Sequence, residues 1–202
     1  MQRLIAFLFE RLFRKVRLAW CSSIEAAAVP GIGGIAFVGD SITHNGRWDL
    51  IFPHAATRNF GINGDRTDQV LSRLDPVIRI DPSKIFVLIG TNDLGQGVDM
   101  ETIVANLEQM LEKLGTALPD CTIYLQTVMP RAAKFAARIR ALNARYAQIA
   151  ERRGLVLVDL YPAFDDGGGK MRSEFTYDDL HLNGAGYTHW RDVLAPHVPD
   201  RR

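Results

Sequence analysis

The sequence predicts an α/β fold in which helices cover both faces of a parallel five-stranded sheet. Five short segments are rich in apolar and β-branched residues, helical patterns separate them, and their hydrophobicity is near-continuous rather than alternating. Strands of this kind are buried on both faces, as in an open α/β sandwich. The same features predict one domain over residues 35–198, preceded by a helix and linker at residues 1–34.

We expect strands at residues 35–38, 57–62, 84–89, 122–128 and 155–158. The first reads I-A-F-V, whereas the second, T-R-N-F-G-I, is less apolar than the others. Helical periodicity predicts helices at residues 67–74, 100–118, 136–153 and 185–194. Asp99 is suited to cap the start of the second helix, and Gly154 is suited to end the third.

Composition limits the function classes. The chain has 202 residues, 47% hydrophobic, with 24 Lys and Arg against 23 Asp and Glu. This balance gives no field that would attract nucleic acid, so we expect no such partner. Cys21 and Cys121 cannot form a disulfide framework, and no C-x-x-C pair suggests zinc. These features favour a reducing compartment, and we expect a cytoplasmic protein.

The near-neutral charge conceals a basic amino-terminal segment. Residues 1–20 contain five basic groups and one acidic group, whereas the rest of the chain contains 19 basic and 22 acidic groups. A helix over this segment would be amphipathic. Its apolar side would carry Ile5, Leu8, Phe9, Leu12, Phe13, Val16 and Trp20.

Two interpretations of residues 1–20 stay open. The apolar run at residues 4–9 is too short for a signal peptide and for a membrane span. The helix could pack on its own domain or on a second subunit, as amphipathic helices commonly do. Alternatively, a basic helix with Phe and Trp on its apolar side suits the surface of an anionic membrane. The chain would then be peripheral to that membrane.

Polar residues follow three of the predicted strands, where ligands bind in such folds. The first strand runs into G-D-S-I-T, which would present the Ser41 hydroxyl at a strand-to-helix turn or use it as a helix cap. The second runs into N-F-G-I-N-G-D, a tight turn containing Gly64. The third ends at G-T-N-D, where Asn92 offers an amide donor or forms an Asx-turn.

A fourth motif, D-D-L-H-L-N-G-A-G-Y, lies near the carboxyl terminus. Asp178 precedes His181 by three residues, so its carboxylate can turn back and accept the imidazole Nδ1–H. The four motifs together supply a nucleophile, a base, an orienting carboxylate and oxyanion donors. This combination is far more specific than any one of its parts.

These motifs, in this order, resemble the SGNH (GDSL-type) hydrolase family over residues 35–195. Within that family, N-F-G-I-N-G-D, M-P-R and D-D-L-H are most similar to the catalytic subunits of platelet-activating-factor acetylhydrolase and their bacterial relatives. The resemblance implies a flavodoxin-like three-layer α/β/α sandwich. It also implies hydrolysis of short-chain acyl esters of small molecules, acetyl esters above all, with no cofactor and no metal.

The resemblance assigns roles to five residues. Ser41 would be the nucleophile, His181 the general base and acid, and Asp178 the residue that orients His181. The backbone N–H groups of Ser41 and Gly64 and the Asn92 side-chain amide would form the oxyanion hole. Two positions depart from the family pattern. Arg66 replaces a small hydroxyl residue, and Asp179 replaces glycine, so that either Asp178 or Asp179 could contact His181; the three-residue offset favours Asp178.

Three other functions compete with ester hydrolysis as interpretations of the sequence. A metallophosphoesterase needs several histidine ligands, but the chain has five histidines and no H-x-H pair. A nucleotide-binding module would place its glycines after the first strand, whereas the glycines at positions 31, 33 and 34 precede it. A catalytically silent scaffold that acts through its amino-terminal helix would keep the fold, although all four motifs are intact.

Overall fold

A computed structural model describes residues 2–198, with side chains from residue 12 onward. Within that range, a five-stranded parallel sheet has the order β2-β1-β3-β4-β5. The strands are β1 (Ile35–Gly39), β2 (Thr57–Gly61), β3 (Lys84–Leu88), β4 (Thr122–Gln126) and β5 (Val156–Val158). All five predicted strands are present, each within two residues of the expected bounds. The order is that of flavodoxin-like folds, in which the chain reverses its direction of progress between β1 and β3.

The helices confirm most of the predicted segments. In chain order they are α1 (Gln2–Ala27), α2 (Ser41–His44), α3 (Trp48–Ile51), α4 (Thr67–Leu71), α5 (Asp75–Arg79), α6 (Thr91–Gly95), α7 (Met100–Ala117), α8 (Ala136–Arg153), α9 (Tyr161–Phe164) and α10 (Gly184–Leu194). Single 3₁₀ turns lie at Ala133–Phe135, Ser173–Phe175 and Ala195–His197. Asp99 caps α7 by accepting the Glu101 N–H at 3.0 Å, and Gly154 ends α8 with a φ of 63°.

The prediction of one helix over residues 67–74 is wrong in its extent. The chain leaves the helix after Leu71 and starts α5 at Asp75, with Pro76 in its first turn. Proline has no N–H to donate to the carbonyl four residues earlier, but it fits the first turn of a new helix. The first helix is therefore three residues shorter than expected, and Pro76 favours the start of a further helix, α5, just beyond the predicted segment.

Packed side chains cover both faces of the sheet. On one face, a row of aromatic rings crosses three adjacent strands: Phe37 lies 5.1 Å from Phe86, and Phe86 lies 4.4 Å from Tyr124, centroid to centroid. These residues are register partners on β1, β3 and β4. Trp48 stacks on Phe37 at 3.9 Å and closes this layer from α3. The opposite face buries aliphatic residues of α4, α5, α7 and α8 against β1, β3 and β4.

Helix α1 contacts the domain through one of its sides. Ile24 packs against the aliphatic core, and the Trp20 ring meets the His44 ring edge-on at 4.6 Å. Leu12, Phe13, Val16 and Leu18 are exposed. The side chains of Ile5, Leu8 and Phe9 lie outside the described residues. Contact of residues 1–20 with a membrane or with a second copy stays a prediction, as does the boundary at residue 34.

No helix among the described residues combines the length and the hydropathy that crossing a membrane requires.

Candidate active site

Ser41 lies at the turn between β1 and α2, at the carboxyl end of the second strand in the sheet order. A side chain at Gly39 would collide with the Leu88 carbonyl oxygen at 2.3 Å, so the close packing of β1 on β3 at this turn requires glycine. Asp40, rather than Ser41, caps α2, because its Oδ1 accepts the Ile42 N–H at 3.0 Å. The Ser41 hydroxyl is therefore not used as a helix cap.

Ser41, His181 and Asp178 are joined by hydrogen-bond distances. Ser41 Oγ lies 3.0 Å from His181 Nε2, and His181 Nδ1 lies 2.7 Å from Asp178 Oδ2. The residues come from opposite ends of the chain, and the loop before α10 brings them together. In that loop, Thr176 donates its hydroxyl to the His181 carbonyl at 2.7 Å, and Asn183 caps α10. The chain of contacts runs from carboxylate to imidazole to hydroxyl.

Asp178, rather than Asp179, contacts the imidazole. Burial raises the pKa of Asp178, but hydrogen bonds from the His181 ring and backbone outweigh it and leave that pKa below its ordinary value. Asp178 is therefore ionised at neutral pH. Asp179 has a φ of 63° and pairs with Lys170 at 3.2 Å. The carboxylate of Asp179 therefore pairs with Lys170, whereas that of Asp178 pairs with His181.

The predicted oxyanion donors follow the carboxyl ends of β1, β2 and β3. Asn92 lies in the first turn of α6 and donates one amide hydrogen to the Asp65 carbonyl at 2.9 Å, which leaves its second hydrogen available. Gly64 has a φ of 78°, a conformation that glycine adopts readily. Within the described residues, the backbone N–H groups of Ser41 and Gly64 donate to no recorded acceptor. The hydrogen bond to the Asp65 carbonyl holds the Asn92 side chain beside the turn that contains Gly64.

Beneath this turn lies an ionic network that the sequence analysis missed. The Asp65 carboxylate is fully buried, and it contacts Arg17 Nε and Arg73 Nε, each at 2.6 Å. Burial lowers the pKa of Arg73, and Asp65 opposes that shift. No local sequence pattern indicates this network, because residues 48 positions apart form one of its pairs.

Asp40, next to Ser41, is a buried carboxyl with one unpartnered oxygen. Its Oδ2 has no hydrogen-bond partner among the described residues, and neither has the nearby Thr43 Oγ1. Burial raises the pKa of Asp40 to about 7, against the hydrogen bond from Ile42. The charge of Asp40 therefore changes in the neutral range.

Two arginines lie beside the loops that surround Asn92. Arg131, of the M-P-R motif, donates to the Thr91 carbonyl at 3.1 Å and stacks on the Phe135 ring at 4.1 Å. Arg66, a departure from the family pattern, pairs with Asp68 at 3.0 Å and donates to Gln96 at 2.7 Å. These contacts hold both guanidinium groups against the protein.

Three aromatic side chains in the segments that follow β4 and β5 pack within the domain. Phe135 lies under Arg131, and Phe175 stacks on His189 at 4.6 Å. The Tyr161 ring is buried, with its hydroxyl 3.3 Å from Arg140 Nη1. Asn143 of α8 binds both backbone groups of Val128, just before M-P-R. Among the described residues, no group of three or more His, Cys, Asp and Glu side chains could hold a metal ion.

Comparisons with known proteins agree on one family. The family model described as GDSL-like lipase/acylhydrolase matches residues 37–189. The chain is 30% identical over 164 residues to the platelet-activating factor acetylhydrolase IB subunit alpha2 of Homo sapiens, which covers 76% of this chain and 70% of that subunit. It is similar at 28% identity over 165 residues to the alpha1 subunit of Bos taurus, with the same two coverages.

Solved structures share the fold. A Streptococcus pneumonia protein named for platelet activating factor superposes with a TM-score of 0.88 at 25% identity, covering 96% of this chain and 98% of its own. The acetyl xylan esterase AlAXEase superposes with a TM-score of 0.72 at 21% identity, covering 82% of this chain and 99% of its own, which shows the fold alone. The first match spans nearly the whole chain, so it includes most of α1.

Proposed function

The chain belongs to the GDSL-like lipase/acylhydrolase family and is a carboxylic ester hydrolase, and we propose that it cleaves short-chain acyl esters through an acyl-serine intermediate on Ser41. One observation carries the proposal: the continuous contact from Asp178 through His181 to the Ser41 hydroxyl, at 2.7 Å and 3.0 Å. A serine hydroxyl is a weak nucleophile unless an oriented base removes its proton. This arrangement supplies that base.

The proposed reaction has two halves. His181 Nε2 takes the proton of Ser41 Oγ as the oxygen attacks the ester carbonyl, and Asp178 stabilises the resulting imidazolium. The Asn92 amide and the N–H groups of Ser41 and Gly64 bind the oxyanion. His181 then returns the proton to the leaving alcohol. Water repeats the sequence against the acyl-serine and releases the acid.

Short acyl groups, acetyl in particular, are the proposed substrates. The edge of the site is open to water: the His181 and Asp178 side chains are 24% and 39% exposed, and Tyr177, stacked on His181, is 68% exposed. An open edge offers few contacts to a long acyl chain, and each methylene left in water contributes no binding energy. The similarity to a protein named platelet-activating factor acetylhydrolase subunit supports the acetyl group.

A chain-length series tests the proposal. Nitrophenyl acetate, butyrate and octanoate, together with acetylated sugars, are assayed with the wild-type protein and with Ser41→Ala. We expect turnover to fall with chain length and to vanish in Ser41→Ala. A fluorophosphonate probe should label the wild-type protein and not the variant. Ester turnover that persists in Ser41→Ala would overturn the assignment of Ser41, and a wild-type protein that neither turns over esters nor takes the label would favour a catalytically silent scaffold.

A further inference from the structure

Helix α1 contacts the turn that contains Gly64 through a partly buried ion pair. Arg17 Nε lies 2.6 Å from Asp65 Oδ1, and Arg17 Nη2 donates to the Gln69 carbonyl at 3.2 Å. Its neighbours on the same helix, Arg14 and Lys15, are exposed. Arg17 therefore binds the domain, whereas the basic residues beside it are exposed to solvent.

The other oxygen of Asp65 binds Arg73, which reaches the backbone of two strands. Arg73 Nε lies 2.6 Å from Asp65 Oδ2, and its two terminal nitrogens donate to the Phe60 carbonyl at 2.8 Å and the Gly39 carbonyl at 2.9 Å. Gly39 is two residues before Ser41. A buried carboxylate needs such partners for both oxygens, because an unpaired charge in the interior is costly.

The backbone of Asp65 connects this network to the oxyanion donors. The Asp65 N–H donates to the Ile62 carbonyl at 3.2 Å and closes the turn in which Gly64 lies. The Asp65 carbonyl accepts the Asn92 amide at 2.9 Å. The position of Asp65 therefore sets the positions of two of the three proposed donors.

We propose that Arg17 is a positioning residue for the oxyanion hole, which makes α1 a working part of the active site. The inference rests on the proposed function, because it concerns the donors of that reaction. Without Arg17, the Asp65 carboxylate keeps only its hydrogen bond from Arg73 Nε among the described residues, and the turn shifts toward a position in which that carboxylate is better solvated. Donors that stabilise an oxyanion must sit within about 3 Å of it, and a misplacement of about 1 Å can cost about 10²-fold in rate.

The packing of α1 makes this role possible. Trp20 contacts His44, and Ile24 packs into the core, so the helix is held on both sides of Cys21. Glu25 also pairs with Arg79 of α5. The helix is thereby fixed against two elements of the domain. The unit that carries out the reaction then begins within α1 rather than at residue 35.

The first experiment compares Arg17→Met with Arg14→Met, a matched change at an exposed position of the same helix. We expect Arg17→Met to lower kcat about 10- to 100-fold, with KM for nitrophenyl acetate within about threefold of wild type, because the oxyanion hydrogen bonds that the substitution weakens are made only in the transition state. The midpoint of the pH–rate curve should not move, since the contacts of His181 are untouched. Arg14→Met should behave as wild type.

A double-mutant cycle separates positioning from a general loss of stability. If Arg17 acts through the oxyanion donors, its substitution should cost at least fivefold less in an Asn92→Ala background than in the wild type. Independent effects would instead multiply within a factor of about two. Arg17→Lys keeps the charge beside Asp65 without the fork that also reaches Gln69, so it should fold and show a smaller loss of kcat.

Two results would overturn the inference. The first is that the kcat losses of the Arg17 and Asn92 substitutions multiply in the double-mutant cycle. The second is that Arg17→Met and Arg17→Lys both hydrolyse the ester as fast as Arg14→Met. If Arg17→Met does not fold, Arg17→Lys replaces it in the same double-mutant cycle. Failure of the proposed function gives a different result, because Ser41→Ala would then hydrolyse the ester as fast as wild type.

Discussion

Asp178 contacts His181 at two points: its Oδ1 accepts the His181 backbone N–H at 2.7 Å, and its Oδ2 lies 2.7 Å from His181 Nδ1. The first contact holds the loop in a tight turn, and the second fixes the orientation of the ring. Since both oxygens of one carboxylate are used, the turn and the imidazole cannot move independently. This geometry makes Asp178 difficult to replace.

We expect Asp178→Asn to lower kcat about 10³- to 10⁴-fold, because an amide can donate to Nδ1 and so favour the wrong imidazole tautomer. Asp179→Asn should change kcat by less than about threefold, since its carboxylate pairs with Lys170 at the surface and asparagine tolerates a positive φ. Steady-state assays of the two isosteric variants check this directly. Loss of turnover in the Asp179 variant alone would reverse the assignment.

Asn92→Ala tests the oxyanion hole. The substitution removes the side-chain donor, and we expect kcat to fall about 10²- to 10³-fold with little change in KM, as is typical when one such donor is lost. Asn106→Ala is the control, because Asn106 also donates a partly buried amide hydrogen, to Thr67 at 3.0 Å, and has no role in the proposed reaction. Equal kcat losses in the two variants would show that the effect comes from stability.

The features that the sequence could predict are local ones. The strand ends at Ser41, Gly64 and Asn92 follow from short apolar runs and the turn residues after them, and parallel strands bring those ends to one edge. The pairing of Asp178 with His181 depends on a three-residue offset. By contrast, the contact of Arg17 with Asp65 joins residues 48 positions apart. Charge pattern alone treats Arg17 like Arg14, and only tertiary packing distinguishes them.

Asn143→Ala should destabilise the fold. The Asn143 side chain accepts the Val128 N–H at 2.8 Å and donates to the Val128 carbonyl at 2.9 Å, and all four atoms are buried in the domain. Alanine leaves two buried backbone groups unsatisfied, at about 1–3 kcal/mol each, so we expect the free energy of unfolding to fall by about 2–6 kcal/mol. Urea denaturation measures it. Gln148→Ala, at an exposed position of α8, should change stability little, and an equal loss there would contradict the assignment to Val128.

Asp40 should give stability a distinctive pH dependence. Burial raises its pKa from 3.8 to about 7, so between these values the folded protein holds a proton that the unfolded chain releases. The unfolded state then binds fewer protons, and the contribution of Asp40 to the free energy of unfolding decreases as pH rises from about 4 to 7 and is constant above that. A shift of this size corresponds to at most about 4 kcal/mol. Asn cannot ionise, so the stability of Asp40→Asn relative to wild type should increase between pH 5 and pH 8.

Urea unfolding of both proteins at pH 5 and pH 8 measures that difference. Asp49→Asn is the control, because Asp49 is an exposed carboxylate whose pKa is lowered by its hydrogen bond with Arg47, so it is ionised at both pH values. Its stability relative to wild type should be the same at pH 5 and pH 8. If Asp40→Asn behaves like this control, Asp40 is already ionised at pH 5. A nearby positive charge must then stabilise its unpartnered oxygen. Arg131 is the candidate, because its charge lowers the pKa of Asp40. Asp40→Asn combined with Arg131→Met would then separate the two contributions.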